Sequence, residues 1–206
     1  MTEIRNETIL SRIINFATGL SKIAIWFAGG LTLLSALYIT ADVISRKFLN
    51  SPIGGSDEMS SYAFAISISW ALSFATLDRA NIRIDAIYQL MPVRIAAILD
   101  WLALVGLAIF IVFITRYALD VAVTSWDYGS TANTALGTPL WIPQSLWVAG
   151  FIWLTIVLAL LLTRSTTALV TGDVKLLSAT CGMRTSKEGA HDEASASRRI
   201  LEEDRR

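Results

Sequence analysis

Four long apolar stretches limit what this sequence can fold into. Three of them run for 19 to 22 residues without a charge, and the fourth, residues 95–115, contains only Asp100. A bilayer-spanning helix needs about 20 mostly apolar residues, so each stretch is long enough to cross a membrane. A soluble helical protein would instead need a polar face on each helix. The sequence therefore predicts an all-α integral membrane protein with four transmembrane helices.

The predicted membrane domain covers residues 23–163, with spans at about 23–44, 57–77, 95–115 and 141–162. Residues 1–22 form a separate segment before the first span. Residues 164–206 form a polar tail that is charged and rich in Ser and Ala, so we expect it to be largely disordered.

The segment before the first span has an amphipathic pattern. Its apolar residues share one helical face, and they are Ile9, Ile13, Phe16, Ala17 and Leu20. Such a pattern predicts an N-terminal amphipathic helix that lies in the membrane interface. A cytoplasmic extension of the first span fits the same residues equally well.

The positions of lysine and arginine predict the orientation. With both termini inside, the terminal segments and the loop between the second and third spans carry far more Lys and Arg than the two outer loops. Positively charged residues favour the cytoplasmic side, so we expect both termini to be cytoplasmic.

The second span carries small residues four apart: Ala63, Ser67, Ala71 and Ala75. Small residues let helices approach closely in lipid, so this face predicts helix packing, either within the chain or with a partner. Trp70 is central in the same span, where its N–H has no water to bind. We therefore expect Trp70 to pack against protein or to find a polar partner.

Charged residues cluster near the ends of the first two spans. Asp42 precedes Arg46 by four residues, which is the favourable order for a helical ion pair. Ser56 is a candidate N-cap for the second span, and Asp57 and Glu58 suit the first turn of a helix. Structural roles explain all of these residues better than ion transport.

The composition disfavours several other classes of function. The net charge is zero, which gives no sign of a nucleic-acid partner. One Cys and one His leave no disulfide framework, no bis-histidine haem site and no His-rich metal site. Catalytic motifs are also absent, so we expect no enzyme activity and no cofactor.

The stretch from Arg46 to Pro92 carries short motifs in a characteristic order. An arginine and an Asn-Ser turn come first, followed by an acidic helix start, a span with a tryptophan, and a basic-apolar-acidic loop before a proline. The residues that carry these motifs are Arg46, Asn50, Ser51, Asp57, Glu58, Trp70, Arg83, Asp85 and Pro92. This order resembles the small membrane subunit, or Q subunit (DctQ-like), of tripartite ATP-independent periplasmic (TRAP) transporters. The sequence has Asn81 where many members have a histidine.

The resemblance implies a protein that works with partners in the bacterial inner membrane. Such a subunit pairs with a large multi-helix TRAP membrane subunit, and a periplasmic substrate-binding protein delivers the substrate, usually an organic acid carboxylate. A sodium or proton gradient drives uptake, and the large subunit holds the substrate and sodium sites. By resemblance, we expect this chain to be a scaffold for the large subunit.

The resemblance also implies roles for individual residues. Asp57 and Glu58 would orient the corner between the first two spans. Arg83 and Asp85 would tie down the inner loop or contact the partner.

Two other functions stay open at this point. A self-sufficient small transporter that works as a homodimer would need a titratable residue deep in a span, and Asp42 is the nearest candidate. A membrane enzyme or electron-transfer subunit is a third hypothesis, which the counts of Cys and His disfavour.

Overall fold

The computed structural model describes residues 2–80, 91–134 and 136–181. Their helices are α1 (Thr2–Leu49), α2 (Ser56–Leu77), α3 (Val93–Asp127), α4 (Trp141–Thr171) and α5 (Val174–Cys181). Within these ranges there is no strand, only an isolated β-bridge between Thr131 and Pro139. The first four helices are long and apolar enough to cross a membrane. The predicted all-α fold with four transmembrane helices is therefore confirmed.

The helices extend beyond the predicted spans. The helix α1 has 48 residues, α3 has 35 and α4 has 31. At 1.5 Å per residue, α1 is about 72 Å long, whereas the hydrocarbon core of a bilayer is about 30 Å thick. Each predicted span lies inside a longer helix, because hydropathy marks the apolar centre of a helix and not its hydrogen-bonded ends.

The segment before the first span is helical and continues into that span without a break. The face that packs against the rest of the chain differs from the predicted apolar face. Ile14, Ala17 and Ser21 are buried, while Phe16 is 71% exposed and Ile13 is also exposed. An interfacial position for this segment stays a prediction.

The helix α4 occupies the centre of the bundle and packs against α1, α2, α3 and α5. Its inward face supplies the most deeply buried apolar side chains, which are Leu154, Val157 and Leu158. The helices α1 and α2 form one neighbouring pair, and α3 lies on another side of α4.

The polar tail differs from the sequence-based expectation as far as residue 181. The helix α4 continues to Thr171, and Gly172 ends it in the left-handed conformation. The Asp173 carboxylate then accepts the backbone N–H of Leu176, a typical N-cap bond that starts α5. Leu177, which is 2% exposed, anchors α5 on the bundle. Residues 182–206 lie outside the described residues.

Candidate functional site at the α1–α2 corner

The α1–α2 corner consists of residues 50–55 and the helix ends on either side. Polar side chains one or two turns apart on α1 hold this connection. The Tyr38 hydroxyl donates to the carbonyl of Gly54 over 3.1 Å, and the Ser45 hydroxyl donates to the carbonyl of Ser51 over 2.5 Å. These bonds satisfy carbonyls that have no partner within a helix.

Asp42 is the centre of the corner and is only 2% exposed. Its carboxylate accepts the backbone N–H of Ile53 over 2.8 Å and the hydroxyl of Ser56 over 2.6 Å. Arg46 forms an ion pair with the same carboxylate at 2.5 Å. The helical ion pair that the spacing predicts is thus present within α1, and the hydrogen bond from Ser56 joins the same carboxylate to the start of α2. Charge-assisted bonds of this kind are stronger than bonds between neutral groups.

Ser56 does not cap α2, so that prediction is wrong. Gly55 takes the N-cap position in the left-handed conformation, with a φ of 71°, and no side chain caps the helix. The Ser56 hydroxyl instead donates to Asp42, because the buried carboxylate lies directly beside it. Among the other acidic residues at this end, Asp57 is exposed and Glu58 is buried.

Glu58 joins the α1–α2 corner to the loop between α3 and α4. Its carboxylate accepts the hydroxyl of Tyr62 over 3.0 Å and the hydroxyl of Thr134 in the loop. A Cβ at Gly55 would overlap the side chain of Leu136 from the same loop. Only glycine therefore suits position 55, for its backbone conformation and for the close approach of the loop.

The small-residue face of α2 packs within the chain. The Ser67 hydroxyl donates to the carbonyl of Ala28 on α1 over 3.0 Å, while Ala63, Ala71 and Ala75 are half-buried. Ala28 belongs to a row of small buried residues on α1, which also contains Ala17, Ser21 and Ala24. Sequence reasoning missed this second set, although its spacing of three and four residues is the signal that marked α2.

The opposite face of α2 packs against α4. Ser69 and Ser73 are fully buried there. A Cβ at Gly150 of α4 would lie only 2.9 Å from the backbone carbonyl carbon of Ser69. The Trp70 indole N–H donates to the carbonyl of Leu146 on α4 over 3.0 Å. The expectation that Trp70 finds a polar partner is confirmed.

Of the three remaining predicted residues, the structure describes only Pro92. Pro92 is exposed and takes the N-cap position of α3. Arg83 and Asp85 lie outside the described residues, so their predicted roles stay predictions.

The contacts at the α1–α2 corner join two helices and a loop. In the described ranges, no group of three or more His, Cys, Asp or Glu side chains could hold a metal ion. The buried carboxylates of Asp42 and Glu58 each bind groups of the same chain. The α1–α2 corner can therefore fix the mutual position of α1, α2 and the loop between α3 and α4.

The chain was also compared with known proteins. A family model described as "Tripartite ATP-independent periplasmic transporters, DctQ component" matches residues 35–168, which is more than half of the chain. The match begins within α1, ends within α4 and contains the whole α1–α2 corner. No curated protein and no solved structure matched in the other two comparisons.

Proposed function

Since this chain belongs to the DctQ component family of the TRAP transporters, we propose that it acts in such a transporter as a scaffold that braces the large membrane subunit. Members of this family are the small subunit of a transporter, and the family is not one of enzymes. The match over residues 35–168 is the observation that carries the proposal.

The internal packing supports a bracing role. The small-residue faces of α1 and α2 meet each other, and Gly150 brings α4 against α2. The close-packing surfaces are therefore used inside the chain. Large apolar side chains dominate the outward surfaces, for example Leu33 and Leu37 on α1 and Phe110 and Phe113 on α3. Such surfaces suit lipid or a second membrane protein.

The contacts of Asp42 favour a scaffold over a self-sufficient transporter. A proton- or ion-coupling carboxylate has to exchange its ligand during transport. Asp42 is 2% exposed and is bound by Arg46, Ser56 and the backbone of Ile53. These contacts explain the residue as part of the α1–α2 corner.

The finer parts of the proposal follow the family. We infer that the large membrane subunit takes up an organic acid carboxylate with a sodium or proton gradient, after a periplasmic binding protein has delivered it. The chain would then lie in the bacterial inner membrane with both termini in the cytoplasm.

Copurification combined with uptake measurements tests the scaffold proposal. The tagged chain is expressed with the large TRAP subunit, purified in mild detergent, and reconstituted in vesicles with the binding protein. We expect the two membrane subunits in near-equal amounts, and uptake of a labelled carboxylate only when both are present. Sodium-gradient and proton-gradient arms identify the coupling ion.

Two outcomes would contradict the scaffold proposal. The first is uptake by the large subunit and binding protein alone at the rate of the full system. The second is uptake by vesicles that contain only this chain, as a homodimer. In the second case, loss of that uptake in Asp42→Asn would support the self-sufficient transporter instead.

A further inference from the structure

Charged residues that should mark opposite membrane faces do not lie at opposite ends of the bundle. On α1, the exposed Lys22 precedes an uncharged stretch that runs to Ala41. On α3, the exposed Arg116 follows an apolar stretch that begins at Ile95. The α1–α2 corner contacts the loop between α3 and α4, so both connections lie at the same end of the bundle. The helices α1 and α3 therefore both run towards that end, and α4 runs away from it. Lys22 then marks one face of the membrane and Arg116 marks the other.

The contacts with α4 place these two residues at one level along the bundle. The Trp153 indole N–H donates to the Ser21 hydroxyl over 3.0 Å. The Thr115 hydroxyl lies 3.0 Å from that of Thr155 and 3.5 Å from the carbonyl of Phe151. Since Trp153 lies between residues 151 and 155, Ser21 and Thr115 share one level of α4. Lys22 and Arg116 directly follow them in the sequence.

An upright bundle conflicts with this arrangement. From the level that Ser21 and Thr115 share, the apolar surface of α1 extends towards the α1–α2 corner. The apolar surface of α3 extends towards the opposite end of the bundle. Each surface covers roughly 20 residues, or about 30 Å, so together they measure about 60 Å along the bundle. The hydrocarbon core is only about 30 Å thick. An upright bundle would leave one apolar surface in water or place a charge in lipid, and both are unfavourable.

We propose that the bundle crosses the bilayer obliquely, so that lipid covers α1 from Lys22 towards Arg46 and α3 from Arg94 towards Arg116 at the same time. At this shared level α1 and α3 contact different sides of α4, because Trp153 is two residues from both Phe151 and Thr155 and so points to the other side of the helix. When the bundle is tilted, this lateral separation between α1 and α3 places Lys22 and Arg116 at different depths in the bilayer. Long Lys and Arg side chains extend the difference, because they reach towards the headgroups.

The oblique orientation explains the exposed ion pair of α3. Arg116 and Asp120 are 65% and 51% exposed, and they contact each other. In the proposed orientation, this ion pair lies among the headgroups of one membrane face, and Lys22 lies among those of the other. Lipid is therefore what covers the apolar surfaces of α1 and α3. This inference does not depend on the proposed scaffold role.

Side-specific cysteine labelling tests the orientation. Asn15→Cys and Asp120→Cys lie one to two turns beyond Lys22 and Arg116, in opposite directions, and both positions are exposed on the protein surface. An impermeant maleimide is added to right-side-out and to inverted membrane vesicles. We expect each cysteine to react from one side only, and the two variants to react from opposite sides. The parent chain measures the background from Cys181, which is buried.

A matched pair checks the apolar surfaces. Leu33→Cys on α1 and Phe110→Cys on α3 replace side chains that are 63% and 60% exposed. In the oblique orientation both lie in lipid, so labelling should be lost from both sides. Three results would overturn the proposal: Asn15→Cys and Asp120→Cys reacting from the same side, either of them protected from both sides, or labelling of Leu33→Cys or Phe110→Cys.

Discussion

Replacing Gly150 by alanine should separate α2 from α4. The added Cβ would lie 2.9 Å from the Cβ and the backbone carbonyl carbon of Ser69 and would overlap its hydroxyl. Ordinary contacts between carbon atoms are about 3.5–4.0 Å, so α2 has to retreat by roughly 0.6–1 Å. A gap of that size loses about a quarter to a half of the dispersion energy at the contact, and overpacking typically costs about 1–3 kcal/mol.

Gly106 of α3 provides the matched control, because a Cβ there has nothing within 4 Å. Alanine at an open helical position should stabilise the protein by about 0.5–1 kcal/mol, since glycine loses more backbone entropy on folding. Subtracting this gain from an overpacking cost of about 2 kcal/mol, we expect a net loss of about 1 kcal/mol for Gly150→Ala and a small gain for Gly106→Ala.

Thermal unfolding in mild detergent measures both variants, with tryptophan fluorescence as the signal. At about 2–4 °C per kcal/mol, Gly150→Ala should lower the Tm by about 2–4 °C, whereas Gly106→Ala should not lower it. Adding Ser69→Gly should recover part of the loss, because it removes two of the three overlapping atoms. A Gly150→Ala variant as stable as the parent would refute the inferred close contact between the helices.

Three further substitutions test other contacts of the α1–α2 corner and of α2. Trp70→Phe removes the hydrogen bond to α4 and should cost about 1 kcal/mol in the same unfolding measurement; an unchanged Tm would contradict the bond. Asp42→Asn should speed proteolysis within residues 50–55, whereas Asp120→Asn, in an exposed ion pair of the same spacing, should leave the rate unchanged. Equal rates for the two variants would argue that Asp42 does not hold the α1–α2 corner in place. Thr134→Val should speed hydrogen exchange in the loop between α3 and α4, because it removes a donor to Glu58; unchanged exchange would show that this bond does not hold the loop.

The sequence alone predicted some of the contacts of α1 and α2. The spacing of Asp42 and Arg46 predicted their ion pair. The apolar surroundings of Trp70 predicted that its indole N–H finds a partner within the protein. The Ser56 cap was wrong, because a cap preference is local whereas the carboxylate that binds Ser56 comes from another helix. The bond between Glu58 and Thr134 joins residues far apart in the chain, so no short pattern indicates it.

Hydropathy by itself predicted the four long apolar helices of the described residues, because the energy of transfer into lipid is close to a sum over residues. Only the tertiary structure decided how those helices are staggered. The level of Lys22 relative to Arg116 depends on which residues of α4 each helix contacts, and Trp153 and Thr115 fix that register. Lipid-facing and protein-facing residues are equally apolar, so only packing distinguishes them.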